Sequence, residues 1–105
     1  MHRTRIKICC ISSVEEARLA IAHGADALGL VSEMPSGPGV IDNNLIREIA
    51  SGVPPTVETI LLTSRHDGEA IADHVEYCQT TAVQIVQHID VKDYQPLINL
   101  SLIHI

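Results

Sequence analysis

Four short runs of aliphatic and β-branched residues alternate along the chain with segments of helical period, and this alternation is its strongest constraint. The runs are "IKICCI" (6–11), "ADALGLV" (25–31), "VETILLT" (57–63) and "AVQIVQ" (82–87). After the first, Ser12 and Ser13 each have a glutamate three residues on, the signature of a capping box, and a helix is expected to run to about His23 before Gly24. Its apolar stripe is Val14, Ala17 and Ile21. Asp42 or Asn43 can cap a second helix facing inward through Leu45, Ile46 and Ile49, and Asp67 opens a third with Ala70, Ile71, His74, Val75 and Cys78 on its stripe. A short helix around Asp93–Asn99, confined by Pro96, is expected last. Strands alternating with helices imply parallel pairing through right-handed crossovers. Two architectures satisfy that pattern, an open doubly wound sheet and consecutive units of a (βα)8 TIM barrel. Neither GxGxxG nor a Walker A pattern follows the first strand, which weighs against a nucleotide-binding open sheet.

Composition narrows the classes further. The chain has 105 residues, enough for one domain, and only two aromatics, Tyr77 and Tyr94, so its core must be aliphatic. A net charge of −6 without a basic cluster weighs against nucleic acid and anionic membranes as partners. The longest apolar run is too short for a membrane span and the N-terminus lacks a signal-peptide core, so a cytoplasmic location is expected. Three cysteines, Cys9, Cys10 and Cys78, make no disulfide framework. Six histidines show no metal-binding spacing, and neither metal nor cofactor is expected. His74 reads as a satisfied core or rim histidine, and His23 as a side chain favouring a helix C-terminus.

The first strand raises the chemical question. Alternation puts Ile6, Ile8 and Cys10 on one face and Lys7, Cys9 and Ile11 on the other. In a barrel the first set packs under helices and the second points to the axis. Cys9 then lies near the C-terminal mouth, where barrel enzymes keep their chemistry, and Lys7 one layer deeper favours its thiolate. An inert buried thiol is the ordinary alternative.

The stretch "RIKICCIS…EEA…A…GADALGLV" resembles the N-terminal part of the phosphoribosylanthranilate isomerase family, whose first strand reads K-[IV]-C-G-[IL]-[ST] and whose second reads G-A-D-A-[LV]-G-F-V. The likeness is dense over residues 5–31 and stays in register to about residue 88, through "PPTVETILLTS" and "TTAVQIVQ". The resemblance implies a TIM barrel, of which this chain holds about the first four βα units. It also implies an Amadori rearrangement of N-(5-phosphoribosyl)anthranilate to the 1-deoxyribulose 5-phosphate product, in tryptophan biosynthesis. The substrate would be a small phosphorylated sugar. The family's base maps onto Cys9; its acid and its phosphate ligands are expected downstream of the matched strands.

Three departures accompany the likeness. Cys10 stands where the family has glycine. The loop S-P-R-Y-[IV]-S aligns with "GPGVID", putting Gly39 at the arginine that holds the anthranilate carboxylate, with Arg47 and Arg65 as candidate substitutes. The family's Q-L-H-G reads Gln84, Ile85, Val86, Gln87, with His88 two residues past the missing histidine. A divergent enzyme or ligand binder with another substrate, and a non-catalytic α/β module, are the competing readings. A (βα)8 barrel takes roughly 200 residues or more, so residues 1–99 are expected to be its N-terminal half. "LSLIHI" (100–105) is also the translation of a transposase adaptor end, CTG TCT CTT ATA CAC ATC, and an adaptor-derived tail is expected there; a genuine fifth strand is the alternative. Alone, such a half is expected to be inactive and to self-associate through its strand edges.

Overall fold

The computed structural model describes residues 4–35, 37–98 and 103–104. Strands β1 (Lys7–Ile8), β2 (Ala27–Val31), β3 (Glu58–Thr63), β4 (Ala82–Ile85) and β5 (Ile103–His104) form one sheet. Between them lie α1 (Val14–Ala22), α2 (Asn43–Ser51) and α3 (Gly68–Cys78), then a 3-10 turn (Val91–Tyr94) leading into α4 (Gln95–Ile98). Every pairing is parallel and the spatial order follows the chain, β1-β2-β3-β4-β5. A doubly wound sheet reverses direction across its first strand. Uninterrupted order with right-handed crossovers instead leaves all helices on one side, as in an arc of a barrel. The half-barrel reading is therefore the right one of the two.

Caps fall where side-chain chemistry puts them. Ser13 Oγ accepts from Glu16 N at 3.0 Å, while the Glu16 carboxylate reaches back to Ser12, taking its backbone N–H at 3.2 Å and its hydroxyl at 2.9 Å. The reciprocal box thus closes one residue upstream of the N-cap. Gly24, with φ +98, ends α1, and Asp42 caps α2 by accepting from Leu45 N at 2.8 Å. Asp67 caps α3 through Glu69 N at 2.9 Å.

The core lies between sheet and helices. Leu28, Leu30, Leu61 and Val83 from the strands meet Ala17, Ile46, Ile49, Ile71, Val75 and Cys78 from the helices, all buried. The register aligns Leu30 with Leu61 and Leu61 with Val83, so these side chains share the helix-covered face. The opposite, concave face carries Lys7, Ala27, Gly29, Ile60, Leu62 and Gln84.

β1 is shorter than "IKICCI" suggests. Cys10 takes φ +61, the left-handed region, and that single residue breaks the alternation. Ile11 therefore does not share the concave face with Lys7 and Cys9. It turns into the helix-side core, where it is 1% exposed, and its N–H reaches Gly29 O at 3.3 Å. Cys10 likewise leaves the helix-covered face assigned to it by simple alternation. Of residues 100–105, Ile103–His104 pair with Val83–Gln84 as β5, and the others lie outside the described residues. Asn99 does too, so α4 is described only to Ile98.

His74 settles as a core histidine. It is 4% exposed, with Nδ1 bonded to Thr63 Oγ1 at 3.1 Å and Nε2 to Asn43 Oδ1 at 2.9 Å, tying α3 to β3 and α2. Burial, helped by the Arg65 charge, lowers its pKa to about 4. The folded state thus binds fewer protons than the unfolded chain between about pH 4 and 6.5, and stability rises with pH across that window. The contribution is whole above 6.5, is lost as pH falls through about 4, and amounts to roughly 3 kcal/mol. Urea midpoints of wild type and His74→Gln measured from pH 4 to 7 check this: the wild-type excess slope must vanish in the variant.

Candidate active site

Cys9 is the first residue past β1, at the C-terminal end of the strand, and it is exposed. The direction of its sulfur is fixed by its neighbour on β2. A Cβ placed on Gly29 would stand 2.8 Å from Cys9 Sγ, 3.0 Å from Lys7 Cε and 3.1 Å from Cys9 Cα. Gly29 shares the concave face with Ile60 and Ala82 across the sheet. The thiol therefore rests on the concave side of the arc, over the one strand position that has no side chain to displace it.

Lys7 crosses the same surface. Its stem passes Gly29 and its ammonium donates to Gln84 Oε1 at 2.8 Å, bridging β1 to β4 over the two strands between. Cys9, Lys7 and Gln84 thus gather on one face from two strands 77 residues apart at the Lys7–Gln84 bond. The sequence pairs Cys9 with Lys7 by alternation alone; Gln84 enters only through tertiary structure.

Gly29→Ala is expected to force Cys9 or its backbone outward and to cost about 1–3 kcal/mol as overpacking. Urea unfolding checks the cost, and a thiol-reactivity assay on Cys9 checks the displacement. Unchanged stability and unchanged reactivity would remove the packing argument.

Cys10 and Gly39 fit one another. A Cβ on Gly39, whose φ is +86, would lie 2.7 Å from both Cβ and Sγ of Cys10, and Cys10 Sγ donates to Pro38 O at 3.8 Å. The cysteine fills the volume that a side chain at 39 would require.

Both candidate arginines make contacts of their own. Arg47 stacks over the Tyr77 ring at 5.3 Å, between α2 and α3, and Arg65 Nη1 donates to Ala70 O at 3.1 Å. Both are engaged in the helix layer. His88 is exposed beyond β4. The loop carrying Gly37 and Gly39 folds back on the end of β2, where Ile41 N donates to Val31 O at 3.0 Å. Among the described residues no three His, Cys, Asp or Glu side chains converge as metal ligands would. No described helix is long and apolar enough to cross a membrane.

A parallel sheet in chain order with its helices on one side defines a run of (βα) barrel units, a fold whose enzymes keep their chemistry at the C-terminal mouth. No family model matches the chain. Curated relatives do. It is 38% identical over 82 residues to N-(5'-phosphoribosyl)anthranilate isomerase 2 of Methanosarcina mazei, covering 77% of this chain and 36% of that protein. It is 37% identical over 84 residues to the Acidithiobacillus ferrooxidans isomerase, covering 80% and 40%. Among solved structures, phosphoribosyl anthranilate isomerase from Thermotoga maritima superposes with a TM-score of 0.82 at 29% identity, covering 96% of this chain and 49% of that one. A phosphoribosyl anthranilate isomerase in complex with reduced 1-(o-carboxyphenylamino)-1-deoxyribulose 5-phosphate matches equally well, with a TM-score of 0.82 at 29% identity and coverage of 96% and 52%. The chain belongs to the phosphoribosylanthranilate isomerase family. It spans well under half the length of the curated relatives it matches, and about half of the solved chains.

Proposed function

We propose that the intact protein of which this chain forms the first βα units isomerises N-(5-phosphoribosyl)anthranilate, with Cys9 as the general base. The observation that carries the proposal is the Cys9 sulfur on the concave face, seated over Gly29 at the open end of β1. An aminoaldose opens on protonation of the ring oxygen and loses its C2 proton to give an enolamine. It becomes the aminoketose when the enol tautomerises, gaining a proton at C1 and losing the one on the C2 hydroxyl. A thiolate at the barrel mouth can take the C2 proton; the acid belongs to the remainder of the barrel. Lys7 contributes a positive charge on the same face, where its ammonium donates to Gln84. A relative of similar fold, crystallised with the reduced phosphorylated product analogue, supports a substrate of that class. The test is growth of a tryptophan auxotroph carrying the full-length gene without added tryptophan. Absence of rescue by a well-expressed protein would reject the assignment.

A second reading follows from Gly39. With no guanidinium at that position and both nearby arginines engaged in the helix layer, recognition of an aryl carboxylate lacks its expected partner. The barrel would then act on a phosphorylated sugar without that group. Gly39→Arg alone is expected to fold poorly, from the clash with Cys10 and the positive φ, whereas adding Cys10→Gly removes the side-chain clash and is expected to recover part of the loss, the φ strain remaining. A lower KM for the anthranilate substrate in the double variant of the full-length enzyme would support this reading, and an unchanged KM would remove it.

A further inference from the structure

The proposed isomerisation gives the Cys10 thiol no task, yet the backbone holds it in an unusual place. A non-glycine residue in the left-handed region costs roughly 1–2 kcal/mol. With φ +61, Cys10 leaves the alternation of β1 and turns its thiol toward the loop at Pro38 and Gly39, directly following Cys9 in the chain. Each sulfur lies beside a glycine: Gly29 leaves room for Cys9 Sγ and Gly39 leaves room for Cys10 Sγ. Cys9 is exposed and Cys10 half-buried, so a small reagent reaches the pair, while Cys78 is fully buried in α3 and does not compete.

We propose that Cys9 and Cys10 form a vicinal dithiol that a hydroperoxide converts, reversibly, to an intramolecular disulfide, withdrawing Cys9 from any proton-transfer role. The Cys9 thiolate attacks the peroxide oxygen, the O–O bond breaks, and the leaving oxygen departs as water or an alcohol after taking a proton. This leaves Cys9 as a sulfenic acid. Cys10 sulfur then attacks Cys9 Sγ, expelling the hydroxyl, which leaves as water with the Cys10 proton. Two electrons pass from the two sulfurs to the peroxide. A thiol donor such as glutathione returns them and is itself oxidised.

The division of labour has a local cause. Desolvation foremost, then the hydrogen bond to Cys9 and the Cys9 charge, hold the Cys10 thiol above its ordinary range, with Glu16 adding to the rise and Lys7 opposing it. Cys10 is thus the resolving partner and not the first to react. Adjacent Cα atoms are about 3.8 Å apart across a trans peptide, below the ~4.4–6.8 Å of ordinary disulfides. The ring is accordingly strained, and strained, exposed disulfides are the readily reduced ones. The proposal rests on the placement of the two sulfurs, and its readout is thiol chemistry rather than turnover, so it stands or falls apart from the isomerase assignment.

The test is peptide mapping of the full 105-residue chain after treatment with hydrogen peroxide at one equivalent. Trypsin releases Ile8–Arg18, which carries Cys9 and Cys10 but not Cys78. The expected product is that peptide lighter by about 2 Da, closed to iodoacetamide, and restored to two alkylatable thiols by dithiothreitol. Cys10→Ser should halt at an oxygenated Cys9 that dimedone traps. Cys10→Gly, which suits the positive φ, should do the same and controls for folding. Wild-type peptide that gains oxygen while Cys10 still alkylates, that cross-links two chains, or that does not react at all would overturn the proposal.

Discussion

Cys9→Ala in the full-length enzyme is expected to lower kcat by about 100- to 10,000-fold, the range that a positioned general base contributes. The substrate should still bind, because the sulfur occupies only the edge of the concave face and Lys7 keeps its bond to Gln84. KM should therefore change much less than kcat, the signature of a group used in the transition state alone. Cys10→Gly provides the contrast. It removes a thiol one residue away, relieves a left-handed non-glycine residue, and should retain most of the turnover. Steady-state kinetics on the three proteins decide the matter. Equal losses for both variants would mean that the geometry of the β1 terminus, and not the Cys9 thiol, carries the reaction.

Leu61→Ala is expected to cost about 2–5 kcal/mol, a large share of the roughly 5–15 kcal/mol that holds a domain together. Leu61 sits on β3 between β2 and β4, fully buried under the helices and aligned with Leu30 and Val83. Truncation there leaves a cavity bounded by two strands and the helix layer. Ile60, the preceding residue on the same strand, faces the concave side and is only half-buried. Ile60→Ala should cost clearly less. The pair tests which face of the arc is the core, because a one-residue change of register would exchange the two results. Urea midpoints at constant m-value give the comparison. A larger loss for Ile60→Ala would invert the assigned faces.

Much of the scaffold was legible in the order of residues. The four apolar runs, the caps at Ser13, Asp42 and Asp67, the stop at Gly24 and the buried stripe Ile71–His74–Val75–Cys78 are local features. Each depends on periods of two or about 3.6 residues and on side chains that bond to backbone within one turn. The likeness to the isomerase family was legible for the same reason, since its densest motif covers a strand, a helix and a second strand in one continuous stretch.

The linear pattern could not choose between an open sheet and a barrel arc, because both alternate strand and helix. The strand order chose, and strand order is a set of long-range hydrogen bonds. Alternation also carried Cys10 and Ile11 to the wrong faces. It assumes extended backbone throughout, and the left-handed conformation of Cys10 itself breaks it. Cys9 kept its predicted face because it precedes that turn. The seat over Gly29, the reach of Lys7 to Gln84 and the exchange of volume between Cys10 and Gly39 join residues from different strands and loops. Local periodicity determined which elements form and which way most side chains face. Only packing in three dimensions decided which of them meet, because contact depends on shape and space across the sheet and not on spacing along the chain.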